Sequence, residues 1–161
     1  LLQIFAASQH LSDVLIHDAE SFDLLRLTEG QPVTRETVVG DVVAEVRDFL
    51  AARVAAAQAA GIAAGRIIVD PGFGFGKRLA HNLALLRHLG QFADLGACVL
   101  AGVSRKSMLG EITGRKVSQR DTASVAAALL AARNGARILR VHDVAATRDA
   151  LAVWSAVEGA E

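Results

Sequence analysis

The chain has 161 residues, 52% hydrophobic and 21% charged, which predicts one packed globular domain and excludes disorder. Lys+Arg and Asp+Glu both number 17, so no global field recommends nucleic acid or an anionic membrane as a partner, and any anion site has to be local. No apolar run is long enough to span a bilayer, and no basic stretch leads into an apolar core as in a secretory signal.

Residues 1–40 show little order in their pattern. Asp13 to Ile16 reads as a strand, but Ser21 to Arg35 has no clean period. From Asp41 the reading is clear. Val42, Val43, Val46, Phe49, Leu50, Val54 and Ala57 recur at helical spacing up to a glycine stop at Gly61. Arg66 to Val69 is a short strand ending at Asp70, followed by a glycine loop. Leu79 to Leu89 reads as a helix stopped at Gly90. Ala97 to Val103 is a second strand, and Lys106 to Ile112 a short helix. Ser118 to Asn134 is an alanine-rich helix, with Ser118 as N-cap and Asp121 at the third helical position. Ala136 to Val141 is a third strand. Ala145 to Val157 is a last helix, with Trp154 packed in the core. Cys98, the single cysteine, sits inside the second strand and reads as a buried thiol. With no intrachain disulfide available, the expected setting is a reducing cytoplasm.

Alternating strands and helices imply parallel strands joined by right-handed crossovers. At a period of two, Ile68 and Asp70 share a face, as do Cys98, Leu100, Gly102 and Ser104, and Ile138, Arg140 and His142. Each set runs from apolar to polar or small. Packed layers below and chemistry at the mouth describe a (β/α)8 barrel, although an open doubly wound sheet gives the same signal.

Three polar clusters stand at the strand ends. Asp70-Pro71-Gly72 alone could be a simple turn, but the run continues Phe73-Gly74-Phe75-Gly76-Lys77. A carboxylate there can accept paired N–H donors from a heterocycle. The glycines permit close approach, and the two phenylalanines offer flat apolar walls. Lys77 has no evident partner and reads as surface charge. Ser104-Arg105-Lys106-Ser107 places two cations at a helix start, against the macrodipole, which a bound anion or polar ring would explain. Arg140 and His142 point the same way and suit a pyrophosphate or carboxylate. Asp143 reads as the N-cap of the last helix. His81 and His88 lie seven apart with no companion ligands, so no metal site is assigned to them. Together the clusters suggest a polar ring carrying an anionic leaving group.

In this order and register, with Gly61-Ile62, His81-Asn82, Gly102 to Met108 and Arg140 to Val144, the clusters resemble dihydropteroate synthase of folate biosynthesis, from about Asp41 to Ala160. The resemblance implies a pterin-binding (β/α)8 barrel, an α/β fold of which this chain is a carboxyl-terminal part. It implies a transferase that joins p-aminobenzoate to 6-hydroxymethyl-7,8-dihydropterin diphosphate and releases pyrophosphate. Carried over, Asp70, Lys106 and Arg140 contact the pterin, and Phe75 and Ser107 bind p-aminobenzoate. Arg140 and His142 take the pyrophosphate, and Lys106, Arg140 and His142 form the catalytic set. The family also implies Mg²⁺, but the Asn-Val-Thr-Pro-Asp-Ser-Phe-Ser segment associated with it has no counterpart here.

Two further departures stand beside the match. Residues 1–40 diverge, since Asp18 to Gln31 replaces an expected Met-Arg-Gly-like stretch after His17. A full barrel needs about 250 residues, whereas three to four βα units are legible. The expectation is therefore an incomplete barrel, inactive alone, or one that closes by pairing with another chain, as in a homodimer. Its expected partners are small-molecule substrates, with no nucleic acid and no membrane. Two alternatives stand: a non-catalytic half-barrel that serves as a binding or assembly module, and a pterin-dependent methyltransferase, against which the Ser-Arg-Lys-Ser and Arg-Val-His pairings speak.

Overall fold

Parallel pairing of three short strands brings the polar clusters to one end of a sheet. The computed structural model describes residues 39–160. The strand expected at Asp13–Ile16 and the segment expected to diverge, as far as residue 38, lie outside them. The elements in chain order are α1 (Val39–Ala59), β1 (Ile68–Val69), α2 (Leu79–Arg87), β2 (Cys98–Ala101), α3 (Ser107–Thr113), α4 (Asp121–Arg133), β3 (Ile138–Leu139) and α5 (Val144–Glu158). Single turns of 3-10 helix occupy Ala64–Arg66 and Val117–Gln119, and a longer 3-10 stretch runs over Leu89–Leu95.

The sheet order is β1-β2-β3, with Ile68 opposite Cys98, Val69 opposite Val99, Leu100 opposite Ile138 and Ala101 opposite Leu139. All three strands are shorter than their apolar runs, and residues 64–66 coil rather than extend. Within the described residues each outer strand has one neighbour, so regular pairing persists only where the two share register. The glycine stop of α1 holds: Gly61 sits at φ +90 and its N–H donates to the Gln58 carbonyl at 2.9 Å. Gly90 does not stop the chain's coiling. The backbone passes from α2 into the turn Leu89–Leu95, and the left-handed residue is Gly96. Leu89 and Phe92, both fully buried, draw that segment onto the core. Ser118 is not the cap of α4. It lies in a separate turn, and α4 begins at Asp121 after Arg120. Asp143 does cap α5, its Oδ1 accepting from the Ala146 N–H at 2.9 Å.

The core lies between the sheet and its helices. Val69, Val99, Ala101 and Val103 pack with Val42, Val43 and Val54 of α1, Leu85 and Leu86 of α2, and Ala127 and Ala131 of α4. Small alanines on α4 let that helix sit close, and each enclosed Val or Leu contributes roughly 1.5–3 kcal/mol. The other sheet face is much more open. Ile68 is 48% exposed, and Cys98, Leu100 and Ile138 are half-buried. This is the face whose residues lead to Asp70, Ser104 and Arg140. Two side chains expected in the core are therefore less enclosed: Cys98 on the open face, and Trp154, whose Nε1 donates to Glu158 on α5 at 3.3 Å. No described helix is long and apolar enough to cross a membrane.

Candidate active site

The loop after β1 is built by side chains that satisfy its own backbone. Gly72, Gly74 and Gly76 all have positive φ (+73, +80 and +61), a conformation that side chains disfavour. Asp70 Oδ1 accepts the Gly72 N–H at 2.8 Å, and Asn82 Oδ1 accepts the Gly74 N–H at 2.8 Å. The Asn82 amide also donates to the carbonyls of Lys77 at 3.2 Å and Arg78 at 3.0 Å. At 1% exposed, Asn82 is a buried polar group fully engaged in fastening the loop to α2.

That turn parts the two phenylalanines. Phe73 is 1% exposed and belongs to the core, whereas Phe75 is 65% exposed. Only Phe75 remains available as a wall, because successive left-handed glycines break the alternation that would have set both rings on one surface. Lys106 Nζ lies 4.2 Å from the centre of the Phe75 ring, a cation–π contact. Gly74 makes room for it, since a Cβ there would come within 2.9 Å of Lys106 Cδ.

After β2 the backbone turns through Arg105, the one described residue other than glycine with positive φ, at 58°. The Arg105 N–H donates to Ser124 Oγ at 2.9 Å, and its Nε pairs with Asp121 Oδ1 at 2.9 Å. Arg120 Nη1 donates to the carbonyls of Arg105 at 3.1 Å and Lys106 at 3.3 Å. Strain of this kind persists only where surrounding bonds over-determine it. Here the start of α4 supplies them and fixes where Lys106 leaves the chain. Arg105 at the helix start is thus balanced by Asp121, so of the two cations there only Lys106 is left for a ligand.

Arg140 follows β3 and reaches back across the site. Its Nη2 is 3.5 Å from Asp70 Oδ2, and its guanidinium lies over Gly102. His142 is held by Ser104: its N–H donates to Ser104 Oγ at 3.3 Å, and its Nδ1 is 2.9 Å from the same oxygen. Gly102, Ser104, Arg105, Lys106, Val117, Arg140, Val141 and His142 line a cavity of about 440 Å³. Burial lowers the Lys106 pKa, with Arg140 adding to the shift and Asp70 opposing it. Lys77 is lowered by burial first, then raised by Asp70 and lowered by Lys106.

Lys106, Arg140 and His142 thus line the cavity, while Asp70 and Phe75 stand outside its lining and meet it through their contacts with Arg140 and Lys106. Ser107 is the exposed first residue of α3 and does not line the cavity. Lys77 is not plain surface charge, because its Nζ donates to the carbonyls of Gly72 at 3.0 Å and Phe75 at 3.3 Å. Arg120 and Ser124 carried no sequence signal of their own, and Asn82 and Ser104 were marked only as members of their clusters. Their partners are mostly backbone atoms, which no side-chain motif reveals. As for Mg²⁺, Asp70 is the single carboxylate at the opening and is already paired with Arg140. Among the described residues no three His, Cys, Asp or Glu gather as metal ligands. These residues do not fit a Mg²⁺ centre, and no step below passes through one.

The profile of the pterin binding enzyme family matches residues 14–142. Dihydropteroate synthase of Neisseria meningitidis serogroup B is 50% identical over 151 residues, covering 90% of this chain and 53% of that protein. The Xanthomonas albilineans dihydropteroate synthase, solved in complex with 7,8-dihydropteroate, is 55% identical with a TM-score of 0.75, covering 81% of this chain and 49% of that one. The same enzyme with 4-aminobenzoic acid is 58% identical with a TM-score of 0.74, covering 75% and 45%. The chain spans about half the length of the relatives it matches.

Proposed function

The chain belongs to the pterin binding enzyme family, its sheet being part of a TIM barrel, and from that premise we propose that it carries the pterin and pyrophosphate side of a dihydropteroate synthase site. The reaction joins p-aminobenzoate to 6-hydroxymethyl-7,8-dihydropterin diphosphate. The observation that carries this reading is the meeting of Asp70 and Arg140 from two strand ends at 3.5 Å, beside Lys106 on Phe75.

Asp70 holds a pterin through its ring N–H groups. Its Oδ1 already takes the Gly72 N–H, so Oδ2 is the oxygen that changes partner. Pterin binding shifts Arg140 from Asp70 towards the diphosphate, whose charge replaces the carboxylate's. As the bond to the leaving group lengthens, negative charge grows on pyrophosphate and positive charge on the pterin methylene. Arg140 stabilises the first and Asp70 the second. Ser104 occupies Nδ1 of His142, which leaves Nε2 to donate to a phosphate oxygen. Lys106 borders the ring, and Phe75 walls the incoming aromatic amine. Ser107 at the exposed start of α3 reaches the carboxylate of p-aminobenzoate. The amine attacks the methylene directly and needs placement, not a covalent enzyme intermediate.

The test gives both substrates to the chain mixed with the amino-terminal half of a relative such as the Neisseria enzyme. Dihydropteroate formation that Arg140→Ala reduces by about 100-fold or more is expected, in line with loss of one charge-stabilising donor. If the mixture forms no product and calorimetry shows no pterin uptake, the reading is wrong.

A further inference from the structure

We propose that Lys77 is a positioning residue: by bridging the carbonyls of Gly72 and Phe75 it sets the turn that holds the Phe75 ring against Lys106. This rests on the proposed function for its purpose, but not for its geometry.

Phe75 is 65% exposed, so burial does little to hold its ring. The ring's place therefore depends on the backbone beneath it. That backbone has little preference of its own, because Gly72, Gly74 and Gly76 visit either sign of φ readily. Three side chains supply the missing constraint. Asp70 and Asn82 take the N–H groups of Gly72 and Gly74. Lys77 Nζ draws the carbonyls on either side of Gly74 together, at 3.0 Å from Gly72 and 3.3 Å from Phe75. The same Gly72 carbonyl accepts the Phe75 N–H at 3.3 Å, so the Lys77 bridge closes the turn that carries the ring. Asn82 anchors the loop to α2 but makes no bond to residue 75, and it does not replace this bridge.

The choice of residue points the same way. The chain has three lysines, Lys77, Lys106 and Lys116, while all its other basic side chains, histidines aside, are arginines. Two of the three stand at the site. Lys77 is half-buried, with Lys106 nearby, a placement that disfavours its charge; the Asp70 carboxylate and the two carbonyls that accept its protons offset that penalty. A surface lysine has no reason to accept such a position.

The scarcity of lysine makes the test direct. A proton–carbon correlation spectrum is expected to show three sets of lysine ε-methylene signals, with the Lys106 set displaced upfield by the Phe75 ring. Phe75→Leu removes the displacement and defines its full size. Lys77→Met keeps length and shape but donates nothing, and most of the displacement is expected to vanish. Lys77→Arg, which can serve both carbonyls, is expected to restore it. If Lys77→Met keeps the Phe75-dependent displacement, or Lys77→Arg loses as much as Lys77→Met, the assignment is overturned. Amide signals of α4 and α5 report whether the fold is intact. Where Lys77→Met disturbs them, Lys77→Leu, which also donates nothing, is read by the same criterion. No ligand enters the measurement, so failure of the proposed function would leave its outcome unchanged.

Discussion

Arg140 depends on a missing side chain. A Cβ on Gly102 would lie 3.0 Å from Arg140 Cζ and closer still to Nη2. The obstructed group is the end of a flexible, exposed side chain, so Gly102→Ala should change the unfolding free energy by less than about 1 kcal/mol. It should nonetheless crowd the guanidinium out of its place over Gly102 and weaken pyrophosphate binding about 10-fold, or roughly 1.4 kcal/mol. Denaturation and calorimetry on the same variant separate these effects. Lost stability with unchanged affinity would remove Arg140 from the anion site. Lys77 and Lys106 predict a second behaviour. Both pKa values lie below the ordinary 10.5, chiefly through burial. At low pH both states carry the proton, and the folded state bears the strain of enclosing charge. As pH climbs through the depressed values towards 10.5, the folded state releases protons first, so stability rises. The chain has no tyrosine to obscure this range. Replacing both lysines with methionine should flatten the rise in urea midpoints, and an unaltered slope would count against it.

At the scale of elements, α4 acts as a bracket for the loop after β2. Ser124 takes the Arg105 N–H at 2.9 Å and donates to the Arg120 carbonyl at 2.6 Å, while Arg120 grips the carbonyls of Arg105 and Lys106. Ser124→Ala leaves the Arg105 N–H without its acceptor, and the expected loss is about 1–3 kcal/mol by chemical denaturation. A loss well below that range would mean that Arg120 and Asp121 suffice to hold φ of Arg105 at 58°. The positions of Asp70, Lys106 and Arg140 were readable because an apolar run ending in polar residues marks a strand tip. The bracket was not. Its bonds join residues 14 to 19 apart through backbone atoms, and Asp121, read as part of a helix start, proved to be the partner of Arg105. The glycine loop shows the same boundary of inference. A period of two assigns faces along strands but fails at left-handed glycines, which is why Phe73 and Phe75 part.

At the scale of the molecule, the sheet is finished on one side. Helices cover Val69, Val99 and Ala101, but the face bearing Ile68, Cys98, Leu100 and Ile138 is open or half-open. In a barrel those residues form the inner layers and need the remaining strands. The chain alone should therefore form no dihydropteroate and should bind an apolar dye such as anilinonaphthalene sulfonate. The dye signal should fall when the amino-terminal half of a relative is added. Product from the chain alone, or dye fluorescence that ignores the added half, would show that this sheet needs no complement. Strand tips bearing chemistry were legible from the sequence, but they suit an open doubly wound sheet equally, and it was the resemblance that implied a barrel. Which face was already packed was not legible, because both faces of these strands are apolar.

The crowding of Lys77, Lys106 and Arg140 around Asp70 has one more consequence, since the whole chain carries no formal net charge. Attraction between this patch and a diphosphate fades beyond the Debye length, about 8 Å in physiological salt. Ligands should arrive by unguided diffusion and feel the patch only on arrival. Added salt should then speed departure far more than it slows capture.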